Sequence, residues 1–315
     1  MVEIIKKRVS EDDDGIRIDR WFQRHYNQYS FGQVSKLART GQLRIDGKRI
    51  KSSERLSIGQ EIRFPNLINE VTEHRQSNSG FSAVKHSDLI NSIIDSVIYI
   101  DPHVLVINKP AGLAVQGGNG IDVSVDDLSQ ELKFDAKDKP KLVHRIDKET
   151  SGVLIMARNI KSAQEMATAF QEREVSKKYL AILQGVPKPV RGTIDAPLAK
   201  MDDGAGFENM GVSDKGMEAI TKYKVIAHNQ DISLVEFEPV TGRKHQIRAH
   251  AAHIGCPIIG DKKYNRRMSE WPKFRNMLCL HASSIDVEVF GEKIKVEAPI
   301  PDHFRPVLEF FKIAY

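Results

Sequence analysis

The segment His144-Arg145-Ile146-Asp147-Lys148-Glu149-Thr150-Ser151-Gly152 runs straight into Val153-Leu154-Ile155-Met156-Ala157. This junction constrains the fold more than any other stretch. The apolar run is too short for an independent helix and reads as a buried strand. Thr150, Ser151 and Gly152 are turn chemistry feeding that strand. Arg145 and Asp147 are therefore expected on a loop at a sheet edge, where a carboxylate faces a ligand while the strand behind it stays rigid. An equally simple reading makes Asp147 a turn cap and Arg145 its ion-pair partner.

The rest of the chain bears on that choice. Its 315 residues suffice for one large domain or two unequal ones, and its balance of 40% hydrophobic and 28% charged residues is that of a globular protein. Cys256 and Cys279 lack C-x-x-C or ligand spacing and are expected to be reduced, buried thiols of a cytoplasmic protein. The start of the chain has no signal-peptide pattern, and no apolar run approaches membrane-spanning length. Net charge is +5, but Ile16 to Phe64 holds eleven Lys/Arg against four Asp/Glu. That stretch is thus +7 and the remainder −2. A compact basic unit points to a polyanion partner of the nucleic-acid type.

Within that unit, Asp19–Tyr26 reads as a helix with Ile18, Trp21 and Phe22 on its apolar side. Ser30, with Gln33 completing a capping box, is expected to open a second helix that Gly41 ends. Alternation on either side of Asp46-Gly47 predicts a two-residue hairpin over Leu43–Ile50, and Glu61–Phe64 a last strand. Arg39, Arg44, Lys48, Arg49 and Lys51 rim this module. The segment resembles the S4 RNA-binding domain, which implies that these side chains contact RNA phosphates and give affinity rather than base choice. Residues 1–14 read as an N-terminal extension, 15–64 as the S4-like module, 65–93 as a linker containing the breaker-rich Gln76–Gly80, and 94–315 as the main domain.

In the main domain, Val97–Ile100 and Val104–Ile107 read as strands, and Asn108–Gly112 as a turn. Gln116–Gly120 is expected to be a flexible loop, since it lacks a phosphate-loop lysine and dinucleotide spacing. Val123–Leu132 reads as helical. Ser162 with Glu165 looks like a capping box, followed by a core face of Ala163, Met166, Ala167 and Phe170. Further strands are expected at Lys177–Leu183, Thr193–Ile194, Ile220–Ile226, Ser233–Phe237 and Leu280–Val289. Met201–Ser213 is expected to be a loop, and Phe304–Ile313 a closing helix capped by Asp302. Lys244–Ile254 reads as a helix entered from Thr241-Gly242 and closed by Gly255. His250 and His253 lack the H-E-x-x-H pattern and a cysteine partner, so no metal is expected there. Arg248 on this helix is a candidate partner for Asp147.

Five separated motifs resemble one family. His144–Gly152 is similar to the central H-R-L-D-x-x-T-S-G motif of the RluA-type pseudouridine synthases, with Ile146 for the usual Leu. Asn108-Lys109-Pro110-Ala111-Gly112 resembles the family's first motif, and Lys178-Tyr179-Leu180-Ala181 its K-x-Y-x-A strand. Thr241–His250, with Gly255, Pro257, Ile258, Gly260 and Asp261, resembles T-G-R-x-H-Q-I-R-x-H…G-x-P-I-x-G-D. Leu280-His281-Ala282 fits as well. The resemblance implies an α+β fold: a mixed, largely antiparallel sheet with a central cleft, plus the small S4-like α/β domain. It implies that uridine is isomerised to pseudouridine without cofactor or metal. Asp147 would be the essential carboxylate, attacking ribose or base or removing a ribose proton. Arg248 would be the cation that keeps Asp147 ionised, and Tyr179 the residue that lies against the base and takes the C5 proton. Arg145 would fill the gap left by a flipped uridine, and Ile247 would wall the base. His144, Thr150 and Arg243 would belong to the RNA-binding surface. The S4-like module and the Gly-rich loop are similar to members acting on large-subunit ribosomal RNA, which would be the partner of a monomer. Met201–Ser213 is a candidate for choosing among uridines.

Other classes fit less well. A silent RNA-binding assembly factor needs neither a buried Asp nor a matched Arg. A protein kinase is excluded by Ile146 inside His-Arg-x-Asp and by the missing Asp-Phe-Gly. A glycoside hydrolase needs two facing carboxylates, and Glu149 sits in a turn that points it to solvent.

Overall fold

Asp46 and Gly47 both adopt left-handed backbone, with φ of +49° and +76°. That pair of conformations is what a two-residue type I′ hairpin turn requires. The computed structural model describes residues 4–26, 29, 31–51, 54–66, 87–118, 120–202, 208–265 and 271–314. The chain divides into two compact units, Met1–Phe81 and Ser82–Tyr315. In the first, strands β1 (Ile4–Arg8), β2 (Arg44–Ile45), β3 (Lys48–Arg49) and β4 (Glu61–Pro65) form a sheet in the order β1-β4-β2-β3. Helices α1 (Ile18–His25) and α2 (Phe31–Arg39) complete the unit. Ile18, Trp21 and Phe22 of α1 are buried with Val34, Leu37, Ile45, Ile62 and Phe64. Ile4–Arg8, expected in an extension, is instead an edge strand paired with β4. Ser30 lies outside the described residues, as does Gln76–Gly80. Gly41, at φ +72°, ends α2 as expected, and the N–H groups of Gln42 and Leu43 both donate to Leu37 O.

Among the described residues of the second unit, the first element is helix α3 (Ser87–Asp95), most of which falls within the expected linker. Strands β5 (Val97–Ile100) and β6 (Val104–Lys109) follow, then the single-turn helix α4 (Val125–Leu128), β7 (Lys141–Leu142) and β8 (Ser151–Ala157). Helix α5 (Ile160–Gln171) leads to β9 (Ser176–Gln184), β10 (Arg191–Asp195), β11 (Leu198–Asp202), β12 (Glu208–Val212), β13 (Ile220–His228) and β14 (Ile232–Pro239). Helix α6 (Gln246–His253), β15 (Leu280–Val289), β16 (Glu292–Glu297) and helix α7 (Arg305–Phe310) complete it. The large sheet runs β10-β13-β14-β9-β15-β8-β6-β5, with β16 on β15 and β7 on β8. Among the described residues its pairings are antiparallel, except β8 with β15.

Several expectations are corrected. Helix α5 starts at Ile160, not Ser162: the Asn159 side chain accepts the Ser162 N–H at 2.8 Å, and Ser162 is itself buried. Ala167 is exposed and Ala169 takes its place on the buried face. The expected helix over Val123–Leu132 is one turn, and that over Phe304–Ile313 is a 3-10 turn, Asp302–Phe304, followed by α7. Of Met201–Ser213, expected to be a loop, the described residues are largely strand: β11 and β12 pair from Leu198↔Val212 to Asp202↔Glu208.

Val153–Ala157 is wholly buried, as its unbroken apolar run requires. It belongs to a core built on β6, β8 and α5, while β9, β14, α6 and α7 surround a second core. Tyr179 packs against both. The register explains why the site forms here. Ala282 of β15 pairs with Tyr179 of β9 on one side and Gly152 of β8 on the other. Tyr179 in turn pairs with Phe237 near the end of β14, from which the chain enters α6. Three distant segments therefore meet at one level of the sheet.

Candidate active site

The loop bearing Asp147 is held from beneath. Thr150 N–H donates to Asp147 O at 3.1 Å, and Gly112 N–H to Lys148 O at 2.9 Å. Lys109 is fully buried, with Nζ donating to Pro110 O (2.7 Å), Leu113 O (2.8 Å) and Lys148 O (3.1 Å). Burial pulls its pKa down to about 7, against the opposing charges of Glu149 and Asp147. Ser151 Oγ meets His281 Nδ1 at 2.9 Å, tying the start of β8 to β15. Gly152 has φ +106°, and a Cβ there would lie 2.1 Å from Ala282 O. Only glycine permits that approach.

His144 lines the cleft, but its Nε2 is committed to accepting the Ile155 N–H at 3.1 Å, and its ring stacks on Phe170 at 4.9 Å. Burial, assisted by the Lys177 charge, lowers its pKa to about 3, so it is neutral at pH 7. Its contacts serve the frame of the loop. Arg145 is exposed at the cleft wall and makes no ion pair with Asp147. Among the described residues no backbone N–H caps the Asp147 carboxylate. Its neighbours are Arg248 and His245.

The turn into α6 is fixed by Gln246. Its Oε1 accepts from Thr241 Oγ1 (2.8 Å) and Arg243 N (2.9 Å), while its amide donates to Ile220 O and Thr221 Oγ1. The helix begins at Gln246, two residues later than expected, because His245 is left-handed at φ +54°. Arg248 lies on the first turn and is buried. Its Nε and Nη2 hold Asp261 at 2.7 and 2.8 Å, and its Nη1 reaches Asp147 Oδ2 at 3.5 Å. Burial works against this charge, but Asp261 and Asp147 outweigh it and raise the pKa. Asp261 belongs to the family's sequence pattern, yet nothing in the spacing showed that it grips Arg248. His250 is structural: Nδ1 meets Thr221 Oγ1 at 2.8 Å and Nε2 meets Ala196 O at 3.0 Å.

These groups line a cleft of about 510 Å³, of a size to enclose a small ligand or a single nucleotide. His144, Arg145, Asp147, Thr150, Tyr179, Arg243, Ile247 and Arg248 all border it. Ile247 and Thr150 are buried, and Asp147 keeps 25% of its side chain exposed. Burial, and secondly the Asp147 charge, push the Tyr179 phenol well above its ordinary range. Sequence reasoning missed Arg173 and Lys177, which add positive charge to the wall. It also gave no role to His245, next to Asp147. Arg173 pairs with the Glu218 carboxylate at 2.7 Å, and Arg243 Nε donates to Glu218 O at 2.9 Å. Arg39, Arg44, Lys48, Arg49 and Lys51 lie in the first unit. All are exposed except Arg44, which is half-buried and donates to Gly41 O and Gly47 O. Among the described residues no cluster of three or more His, Cys, Asp or Glu is arranged to hold a metal ion, and no helix is long and apolar enough to cross a membrane.

A carboxylate on a rigid loop, a buried arginine aimed at it and a tyrosine at the seam of two cores are the parts the RluA-type motifs call for. Residues 103–253 match the family described as RNA pseudouridylate synthase. The chain belongs to the RluA family of pseudouridine synthases, which are isomerases. "Ribosomal large subunit pseudouridine synthase C" of Rickettsia prowazekii is 37% identical over 293 residues, covering 91% of this chain and 95% of the relative. The protein of that name in Escherichia coli K12 is 31% identical, covering 96% and 94%. Among solved structures, human RNA pseudouridylate synthase domain containing 4 is 29% identical with a TM-score of 0.62, covering 73% of this chain and 97% of that one.

Proposed function

We propose that this enzyme isomerises specific uridines of large-subunit ribosomal RNA, with Asp147 as the reacting carboxylate. The observation that carries this reading is the geometry at Asp147. It is the carboxylate that borders the cleft, and it is approached by an arginine whose other nitrogens are already locked on a buried aspartate. The substrate class rests on the relatives' names. The reaction breaks N1–C1′, turns the base and joins C5 to C1′. Nothing is added or lost, so it balances without a co-reactant. Asp147 attacks ribose or base, or removes a ribose proton. Arg248 sets a positive charge 3.5 Å from its Oδ2. Ile247 and Tyr179 bracket the base. Tyr179 is a neutral phenol in the resting enzyme, so it takes the C5 proton as it gives its own to N1, the base nitrogen freed from C1′, and the proton count is unchanged. Exposed Arg145 enters the stack that the uridine leaves, and Thr150 and Arg243 line its path.

In the first unit, the register sets Lys6 opposite Arg63, Arg63 opposite Arg44 and Arg44 opposite Arg49. Opposed residues share a face; Lys6 is paired with Glu61 at 3.2 Å, while the three arginines are like charges that repel and favour a polyanion over them. With Arg39, Lys48 and Lys51 this supports an S4-like, phosphate-binding role. A ribosomal RNA substrate supports a cytoplasmic site of action, with a monomer as the proposed state.

The test is tritium release from 5-tritiated uridine in large-subunit, small-subunit and transfer RNA, with the wild type and Asp147→Asn. Release from large-subunit RNA alone, abolished by the substitution with RNA binding intact, is expected. Release from transfer RNA would overturn the substrate, and an active Asp147→Asn would overturn the site.

A further inference from the structure

Asp147 is approached from two directions, and both approaches end on the same oxygen. Arg248 Nη1 lies 3.5 Å from Oδ2, and His245 Nε2 lies 3.8 Å from it. What His245 offers there depends on its tautomer, and the neighbours decide that. Tyr264 Oη accepts the backbone N–H of Met210 at 2.9 Å. The phenol has one proton to donate, and the acceptor in reach is His245 Nδ1 at 3.0 Å. Nδ1 is therefore the accepting nitrogen, and in a neutral imidazole the ring proton then sits on Nε2, facing Asp147. The ring is neutral: burial outweighs the Asp147 charge and, with Arg248, Lys263 and Lys244, lowers the pKa to about 4. Burial also raises the Tyr264 pKa, which keeps its proton in place.

The two arms share one anchor. Asp261 grips Arg248, and its Oδ1 also accepts the N–H groups of Lys263 (2.9 Å) and Tyr264 (3.1 Å), which fixes the turn that carries Tyr264. His245 itself sits in left-handed backbone, a conformation that a side-chain-bearing residue seldom adopts. It caps the helix with no side-chain bond, so the strain is not explained by capping.

We propose that His245 is a positioning residue for Asp147, held by Tyr264 as the Nε2–H tautomer so that it and Arg248 together fix Oδ2 and leave Oδ1 as the oxygen that reacts. The Met210 N–H, from β12, then couples the β11–β12 hairpin to the orientation of this carboxylate. The inference rests on the reading of Asp147 as the reacting group. At 3.8 Å the His245 contact is electrostatic, and a movement of about 1 Å on forming the RNA complex makes it a hydrogen bond.

Two measurements test this on the full-length protein. The first is ¹⁵N NMR of histidine-labelled wild type, with the His245 signals assigned by their loss in His245→Gln. A protonated Nε2 and a bare Nδ1 are expected, and the opposite tautomer overturns the proposal. The second is the single-turnover rate, RNA affinity and melting temperature of His245→Gln, His245→Asn and Tyr264→Phe, with Asp147→Asn in parallel. A glutamine amide reaches the Nε2 position and an asparagine amide only that of Nδ1. Asn and the Tyr264 variant are expected to lose about tenfold to a hundredfold in rate, the worth of one hydrogen bond to a charged group, with affinity unchanged. Gln is expected to recover most of that loss. Equal rates for Gln and Asn overturn the donor role. An active Asp147→Asn would sink the underlying reading. A dead Asp147→Asn beside a wild-type rate for His245→Asn would sink this inference alone.

Discussion

Arg248 is bound more closely to Asp261 than to Asp147, and the difference shapes what each residue does. Asp261 is fully buried and takes the bidentate fork at 2.7 and 2.8 Å, while Asp147 is 3.5 Å away and partly exposed. A bidentate pair fixes the direction of the guanidinium as well as its charge. Nη1 is thereby aimed at Asp147 without neutralising it fully. Replacing Asp261 by Asn leaves a buried guanidinium short of its charge partner, and one oxygen must then serve both Arg248 and the Tyr264 turn. Breaking such a pair costs about 3–5 kcal/mol. We expect a lower urea midpoint and a depressed single-turnover rate, with the fall in rate exceeding any fall in RNA affinity. An unchanged midpoint would contradict the pairing. The sequence pattern contained Asp261, Arg248 and Asp147, but Arg248 and Asp147 stand 101 positions apart. Spacing within a motif says nothing about which carboxylate an arginine chooses when two are in reach.

At the scale of elements, the junction of β8 and β15 is the point where the fold is least forgiving. Gly152 pairs with Ala282 in the one parallel pairing among the described residues of the large sheet, with no room for a Cβ. Gly152→Ala must push the strands apart or abandon φ +106°. We expect destabilisation of roughly 3 kcal/mol or more, read as a fall in melting temperature, together with loss of turnover as the Asp147 loop shifts. A variant that melts and turns over like wild type would show that the sheet yields there. Elements defined by local chemistry were legible: the Asp46-Gly47 hairpin, the apolar run of β8 and the glycine end of α2. The β11–β12 hairpin was not, although its pairing is local: apolar alternation in β12 is confined to Met210 and Val212, and the Gly and Asp residues nearby read as loop chemistry. The start of α5 was misplaced for a related reason. Ser162 and Asn159 are both good caps, and what decided between them was that Ser162 is buried against the core.

For the whole molecule, the buried histidines predict an acid limit. Burial lowers His144 to about 3 and His245 and His281 to about 4. These folded values lie below the ordinary 6.5, so on acidification the unfolded chain takes up protons first. Stability therefore rises with pH between about 4 and 6.5, by up to about 1.4 kcal/mol per pH unit for each histidine, and the contribution is complete above that window. Calorimetric melting from pH 7 to pH 4.5 should show a steady fall in Tm. A flat profile would mean that the histidines are not desolvated. The cationic row of the first unit predicts salt-dependent RNA binding. A combined Lys48→Ala, Arg49→Ala and Lys51→Ala variant should bind more weakly and lower the slope of log affinity on log salt by about one for each phosphate no longer neutralised. Its single-turnover rate at saturating RNA should stay near wild type. An unchanged salt slope would take these residues out of the interface.

The sequence by itself determined the basic module, the rigid strand behind Asp147 and the residue types the chemistry needs. These depend on local periodicity, turn chemistry and charge, which adjacent residues carry. Only the tertiary structure decided that Asp261 holds Arg248, that Tyr264 faces His245 and that His144 supports the loop. Those relations join residues only 13, 19 and 11 positions apart, but they meet across turns and loops whose paths no periodicity carries. They are set by which polar groups are buried together, where a buried donor must find an acceptor.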